Sequence, residues 1–156
     1  MDLAEHFGGK ARVEAMHARL AGFAKGFGIT DMKLRDRAPN TRRALAVAEY
    51  ARDAGKLEQF RQAAMDAHWR RGMDLESDAD LRTLAVECGL DPAEALAASR
   101  DAALLARIDR RREEAEQTGV TGIPTFVIGD QAVVGCQTYE VLAQFVEACG
   151  AKRKAC

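Results

Sequence analysis

The sequence has 156 residues, of which 47 % are hydrophobic and 30 % are charged, and its formal net charge is −1. This balance is typical of a globular protein and gives no reason to expect nucleic acid or an anionic membrane as a partner. No apolar run approaches the roughly 20 residues that a membrane-spanning helix needs, and the start, MDLAEH, lacks the basic and apolar segments of a signal peptide. We therefore expect a cytoplasmic protein with its thiols reduced.

The first half of the chain is predicted to be helical. An apolar stripe at helical spacing covers residues 10–27, and Gly28 follows it. Residues 29–37 are expected to form an extended connector. Asn40 or Thr41 is the predicted N-cap of the next helix, which Gly55 ends, and residues 57–70 form another helix. The stripe of the first helix consists of Val13, Met16, Leu20, Phe23 and Phe27.

Capping signals mark the later helices. An acidic first turn from Ser77 begins a helix that ends at Cys88, and Asp91 with Pro92 begins the next one. A long helix is predicted over residues 100–117. After residue 137, Thr138 is expected to cap a last helix that runs to Ala148.

The stretch GVTGIPTFVIGDQAVVGCQ, residues 119–137, predicts the chain's clear β-structure. Two short runs of β-branched and aromatic residues, 125–128 and 132–134, flank Gly129 and Asp130, which is the pattern of a two-residue hairpin. Pro124 stands at the entrance of the first strand, where an X-Pro peptide bond can adopt the cis form. Helices followed by a hairpin and one more helix predict an α-rich α+β protein.

Residues 119–137 resemble the C-terminal half of a DsbA-like thioredoxin fold, in particular the FrnE-type branch of disulfide isomerases. The resemblance extends over about residues 3–148, with weaker support from Pro39, Asn40 and Thr41. It implies a thiol–disulfide oxidoreductase or isomerase that acts on protein or peptide thiols and disulfides. It also implies a helical subdomain at residues 1–118, a thioredoxin-like ββα segment at residues 119–150 and a disordered basic tail at residues 151–156.

The sequence departs from this family in one respect that matters for activity. The family carries a Cys-x-x-Cys motif on its first strand–helix unit, whereas the cysteines here, at positions 88, 136, 149 and 156, include no such pair. We therefore expect the chain to begin after that unit and to be inactive alone. The alternative is a non-catalytic binding or assembly module that oligomerises through an exposed sheet edge.

The edge of the hairpin is expected to need a partner. A two-stranded hairpin is marginally stable by itself in water, and both strands are apolar on both faces, as in a covered sheet. A second copy of the chain, giving a homodimer, or a separate polypeptide would supply the pairing. A third strand from residues 29–34 is the alternative, and dimerisation is favoured over it.

The candidate substrate-binding residues are Gly122, Ile123, Pro124 and Asn40. A cis proline turns the chain so that the backbone of the preceding residue faces outward, where an extended peptide can pair with it. In the resembled family this loop faces the redox cysteines, and an Asn-Thr pair lies near the active-site cleft. The default interpretation of Asn40 is a helix cap.

Cys136 is the candidate catalytic residue. Continuing the hairpin register pairs Pro124 with Gly135 and places Cys136 opposite Ile123. Cys136 also precedes the Thr138 cap by two residues, where the positive end of a helix favours a thiolate. The alternative is a packing role, since the family usually has alanine at this position and cysteine is a modest replacement for it.

The remaining cysteines and the histidines carry no predicted chemistry. Cys88 and Cys149 are expected to be buried as small hydrophobic residues, and Cys156 is expected in the tail. The three histidines have no metal-ligand spacing, so the sequence predicts neither a metal nor another cofactor.

Overall fold

The computed structural model describes residues 1–151, which form eight α-helices, one π-helix and one β-hairpin. The α-rich α+β class predicted from the sequence is confirmed. The elements are α1 (Leu3–Phe7), α2 (Lys10–Lys25), α3 (Arg42–Asp53), α4 (Leu57–Asp66), the π-helix (Ala67–Arg71), α5 (Asp78–Glu87), α6 (Pro92–Ala98), α7 (Ala102–Gln117), β1 (Thr125–Ile128), β2 (Gln131–Val134) and α8 (Tyr139–Ala148).

The chain divides into two compact units, Met1–Asp109 and Arg110–Cys156, and α7 begins in the first and ends in the second. The predicted domain bounds at residues 118 and 119 stay a prediction. The predicted tail, apart from Ala151, lies outside the described residues. No helix within residues 1–151 is both long and apolar enough to cross a membrane.

The first unit holds a hydrophobic core built mainly from α3, α4, α5 and α6. Phe60 of α4 is its largest fully buried side chain, and Cys88 is buried at the end of α5, as the sequence predicted. The core residues are Ala44, Val47, Ala51, Phe60, Ala67, Leu75, Leu81, Leu84, Ala85, Cys88, Leu90 and Ala95.

The predicted helix caps form where short side chains can reach the first free amides of a helix. Ser77 accepts a hydrogen bond from Asp80 N, Asp91 accepts from Ala93 N and Glu94 N, and Thr138 accepts from Val141 N. These bonds satisfy donors that have no partner inside the helix. The starts of α5, α6 and α8 are therefore confirmed.

The structure of residues 1–37 shows how far the apolar stripe of α2 is covered. Val13 and Ala24 are buried, whereas Phe23 is 52 % exposed and Phe27 is 50 % exposed. The two phenylalanine rings pack against each other with their centroids 5.1 Å apart. Residues 29–34 form no strand, since the described sheet contains β1 and β2 alone. The helix α1, capped by Asp2, was not predicted.

The predicted helix over residues 57–70 changes its hydrogen bonding before it ends. Residues Ala67–Arg71 are π-helical, and Gly72 closes them with a φ of 69° while its amide bonds Ala67 O. Arg35 donates hydrogen bonds to the carbonyls of Gly72 and Met73, which occupies acceptors at the end of the helix. This contact spans more than 35 residues, so helical periodicity does not reveal it.

Replacing Phe60 with alanine is expected to destabilise the first unit by about 3–5 kcal/mol, because the substitution leaves a cavity in a packed core. Met65→Ala, on the same helix but at a 59 % exposed position, is the matched control and should change stability by less than about 1 kcal/mol. Urea unfolding followed by the fluorescence of Trp69, the chain's single tryptophan, measures both values. Equal losses for the two variants would contradict the assigned core.

Candidate functional site

The loop before β1 is the most exposed apolar feature of the second unit. The Ile123–Pro124 peptide bond is cis, and the Ile123 side chain is 92 % exposed. Thr125 Oγ1 donates a 2.6 Å hydrogen bond to Gly122 O, and Gly135 N donates a 2.8 Å hydrogen bond to Pro124 O. The carbonyl groups of Gly122 and Pro124 are therefore hydrogen-bonded. The N–H and C=O groups of Ile123, which lies between them, have no hydrogen-bond partner in residues 1–151.

The register of the hairpin matches the prediction. Phe126 pairs with Val133 and Ile128 with Gln131, and the loop between them has two residues. The bond from Gly135 N to Pro124 O carries the pattern one step beyond the strands. The Ile128–Gln131 pair therefore closes the turn as a hydrogen-bonded pair. From there, hydrogen-bonded and non-hydrogen-bonded pairs alternate along the two strands.

This alternation decides which backbone groups face outward. The N–H and C=O groups of Thr125 and Val127 point away from β2, and those of Ala132 and Val134 point away from β1. No further strand pairs with either edge of the described sheet, although Val134 O accepts a hydrogen bond of 2.8 Å from Gln137 Nε2. The sheet consequently offers two places where a further strand can add.

Cys136 is exposed and lies between the hairpin and α8. It follows Gly135, which bonds Pro124, and it precedes the Thr138 cap by two residues. In this register Ile123 and Cys136 would form a non-hydrogen-bonded pair, and the position of Cys136 opposite Ile123 stays a prediction. The structure thus leaves the Cys136 thiol accessible next to the residue that bonds the cis-proline.

Asn40 belongs to the first unit and acts at the start of α3. Its Oδ1 accepts a hydrogen bond of 3.0 Å from Arg42 N. Asn40 also lines a polar cavity of about 370 Å³, whose other wall residues are Arg37, Arg43, Asp74, Glu76 and Ser77. Gly122, Ile123 and Pro124 therefore lie in one loop before the hairpin, and the segment that contains Cys136 follows the hairpin. Asn40 lies in the other unit.

The sequence analysis missed an ion-pair cluster beside this cavity. Arg43 Nη2 lies 2.6 Å from Asp78 Oδ1, and Arg100 Nη2 lies 2.7 Å from Asp78 Oδ2. The hydrogen bond from Arg100, followed by that from Arg43, lowers the pKa of Asp78 to about 2. Only the place of Asp78 in the acidic first turn of α5 was visible in the sequence, because its two partners are 35 and 22 residues away.

The chain is similar to known proteins in sequence and in structure. A family model described as a DSBA-like thioredoxin domain matches residues 1–147. The chain belongs to the DSBA-like thioredoxin domain family. A solved structure titled "Crystal structure of probable DsbA oxidoreductase SCO1869 from Streptomyces coelicolor" is 27 % identical, with a TM-score of 0.81. The match covers 99 % of this chain and 68 % of that one. No match was found among curated proteins.

The three cysteines among the described residues, Cys88, Cys136 and Cys149, are free thiols. Burial, and next the negative charge of Glu87, raise the pKa of the Cys88 thiol. Cys149 is only half-buried, which corrects the expectation of a buried residue, and its Sγ lies 3.8 Å from Gln131 Oε1. Cys156 lies outside the described residues. In the part of the chain that the structure describes, no group of three His, Cys, Asp or Glu side chains could hold a metal.

Stability is expected to depend on pH through Asp78. Its pKa is depressed in the folded state, so its stabilising effect is complete above about pH 4 and is lost as pH falls through about 2. Urea unfolding of Asp78→Asn should show a loss of stability at pH 6 that shrinks at pH 2.5. Asp36→Asn, at an exposed carboxylate without an ion-pair partner in residues 1–151, is the matched control and should change stability by less than about 0.5 kcal/mol at pH 6. A loss of the same size at both pH values for Asp78→Asn would contradict this assignment.

Proposed function

We propose that this chain is the substrate-binding part of a FrnE-type, DsbA-like thiol–disulfide oxidoreductase or isomerase. The observation that carries the proposal is the exposed Ile123–Pro124 loop at the entrance of the hairpin, in a chain that belongs to the DSBA-like thioredoxin domain family. The 156 residues contain no Cys-x-x-Cys, so the proposal assigns that pair to polypeptide outside this sequence. The chain alone is then inactive as a dithiol enzyme.

The proposed reaction is thiol–disulfide exchange. A thiolate of the external pair attacks one sulfur of a substrate disulfide, which forms a mixed disulfide and releases the other substrate sulfur as a thiolate. The second cysteine of the pair then attacks the mixed disulfide. The substrate leaves as a dithiol and the pair becomes a disulfide, and the reverse sequence oxidises a substrate dithiol.

The role of this chain in that reaction is to hold the substrate backbone. Ile123 presents an N–H and a C=O group without partners in the described residues, at a point where the chain is exposed. An extended peptide can pair with such groups as an added strand, which fixes the position of its sulfur. Asn40 is proposed as a further substrate contact on the strength of the family resemblance.

Cys136 has a separate proposed role in one-thiol chemistry. Its thiol is exposed, and once deprotonated it can attack a substrate disulfide, form a mixed disulfide and release one substrate thiolate. A second thiol, from the substrate or a small-molecule thiol, would resolve that intermediate. We also propose a cytoplasmic location, where Cys136 would remain reduced between such cycles.

The first test restores a redox pair. A Cys-x-x-Cys segment from a DsbA-like relative is fused ahead of Met1, and reduction of a disulfide-bonded model peptide is followed by mass spectrometry. We expect negligible activity for the chain alone and measurable activity for the fusion. Pro124→Ala in the fusion should lower the rate by roughly ten- to a hundredfold, because small misplacements of the substrate have effects of this size.

The control for this test is the same fusion with both introduced cysteines replaced by serine. It should be inactive, while Cys136→Ser in the active fusion should retain most of the dithiol activity. A folded fusion without activity, or one whose activity survives the loss of both introduced cysteines, would refute the oxidoreductase proposal.

A second candidate function is assembly without catalysis. It is favoured by the two unpaired edges of the hairpin and by the exposure of Val127 and Val134, which line one face of the sheet. A further strand along β1 would satisfy the outward-facing N–H and C=O groups of Thr125 and Val127. We propose a homodimer in which β1 of one copy pairs with β1 of the other.

Light scattering tests this dimer. The wild type and Cys136→Ser should both have the mass of a dimer, with and without reductant, because strand pairing needs no disulfide. Val127→Pro removes an outward-facing N–H of β1 and should give a monomer, whereas Ala132→Pro on the β2 edge should remain a dimer. A wild-type monomer, or a dimer that reductant dissociates, would contradict pairing through the edge.

A further inference from the structure

A groove in the first unit has no role in the proposed function. It consists of two cavities, of about 290 and 320 Å³, that share Ile29 and Met32 as wall residues. The walls come from the end of α2, the connector that follows it, α4 and the π-helix. We call this feature the connector groove, and its apolar walls are formed by Ala21, Ile29, Met32, Met65 and Trp69.

The walls of the connector groove are held in place by contacts from both sides. Lys33 N donates a hydrogen bond of 2.6 Å to Trp69 O, and Arg70 Nε lies 3.1 Å from Asp31 Oδ2. On the α2 side, Ile29 N donates to Ala24 O at 3.0 Å. Because the connector is tied to the π-helix, the groove exists without a ligand, which lowers the entropy lost on binding.

The lining suits apolar side chains of varied shape. Met65 is 59 % exposed and Met32 is half-buried, and unbranched, polarisable methionine adapts to different partners. Trp69 adds a large aromatic surface, and it projects from a π-helical turn, a distortion often found at functional sites. Each cavity is of a size that can receive one or two aliphatic side chains.

The connector also offers unpaired backbone groups. Lys33 N bonds the π-helix, but the N–H groups of Thr30 and Met32 have no acceptor within residues 1–151. An extended peptide can supply such acceptors and place alternate side chains in adjacent cavities. A simple aliphatic ligand would leave these N–H groups without a partner.

The charged side chains at the connector groove indicate which peptides it would favour. Arg70 is paired with Asp31 and with Asp66, so these groups compensate one another. Lys25 lies at the α2 end and has no ion-pair partner among the described residues. We propose that the connector groove binds an extended apolar peptide segment that carries an acidic residue beside Lys25. This site lies wholly in the first unit, and it does not depend on the redox proposal.

Trp69 provides a direct measurement, because it is the single tryptophan of the chain and lines the groove. The full chain is titrated with the capped peptide Leu-Thr-Leu-Thr-Leu-Asp and with its counterpart that ends in lysine. We expect a saturable shift of the Trp69 emission, with affinity for the acidic peptide several-fold higher at low salt than for the basic one.

Three variants locate the binding site. Met65→Glu places a charge in the apolar wall and should weaken binding of the acidic peptide about tenfold, which corresponds to 1.4 kcal/mol. Lys25→Glu should reverse the preference between the two peptides. Val86→Glu, a matched change at an exposed position of α5 outside the groove, should leave both affinities unchanged. Far-UV circular dichroism verifies that all three variants fold.

Four results would overturn the inference. The first is the absence of a saturable change in tryptophan emission with either peptide, and the second is equal weakening of peptide binding by Met65→Glu and Val86→Glu. The third is an unchanged preference between the two peptides in Lys25→Glu, and the fourth is binding of dodecanoate without binding of peptide. The last result would identify the ligand as a fatty acid rather than a peptide.

Discussion

Each strand of a two-stranded sheet has backbone N–H and C=O groups on both sides, but its single neighbouring strand can pair with the groups on one side only. This constraint governs the second unit, where β1 and β2 pair with each other and leave Thr125 and Val127 on one edge and Ala132 and Val134 on the other. The strands are also apolar on both faces, and most of their side chains are exposed. A two-stranded sheet of this kind is marginally stable by itself in water and gains stability from a further strand or from a covering helix.

The same constraint links the two proposed functions. In the oxidoreductase, the strands that complete the sheet come from the polypeptide that carries the redox cysteines, and the loop at Ile123 and Pro124 then faces the substrate. In the assembly module, a second copy completes the sheet. Both proposals use the free backbone of the hairpin, and they differ in whether sulfur chemistry follows.

The first unit is organised differently, because helices satisfy their own backbone groups and can bury an apolar face. Its core surrounds Phe60, and arginine side chains fix the segments that are not helical. Arg35 holds the connector to the end of the π-helix, and Arg43 with Arg100 surrounds Asp78. These bonds stabilise the walls of the polar cavity and of the connector groove, which gives the unit surfaces that can select a ligand.

Much of the local structure could be predicted because short-range chemistry specifies it. Gly129 and Asp130 between two β-branched runs set the hairpin and its register, since the turn length fixes which residues pair. Caps such as Ser77 and Thr138 act within three residues of themselves, so their helices begin where the sequence indicates. The candidate loop of Gly122, Ile123 and Pro124 was also visible, because proline before a strand is a local signal.

Other features depend on which surfaces meet, and local sequence does not specify them. Phe23 of α2 and Phe27, just after that helix, continue the apolar spacing, but both side chains are about half exposed. The π-helix depends on contacts with Arg35 and Lys33, and the low pKa of Asp78 depends on arginines distant in sequence. The sequence by itself thus determined most of the α-helices, the hairpin register and the absence of a Cys-x-x-Cys pair. Only the tertiary structure decided burial, the ion-pair cluster and the connector groove, because each requires groups far apart in the chain to meet.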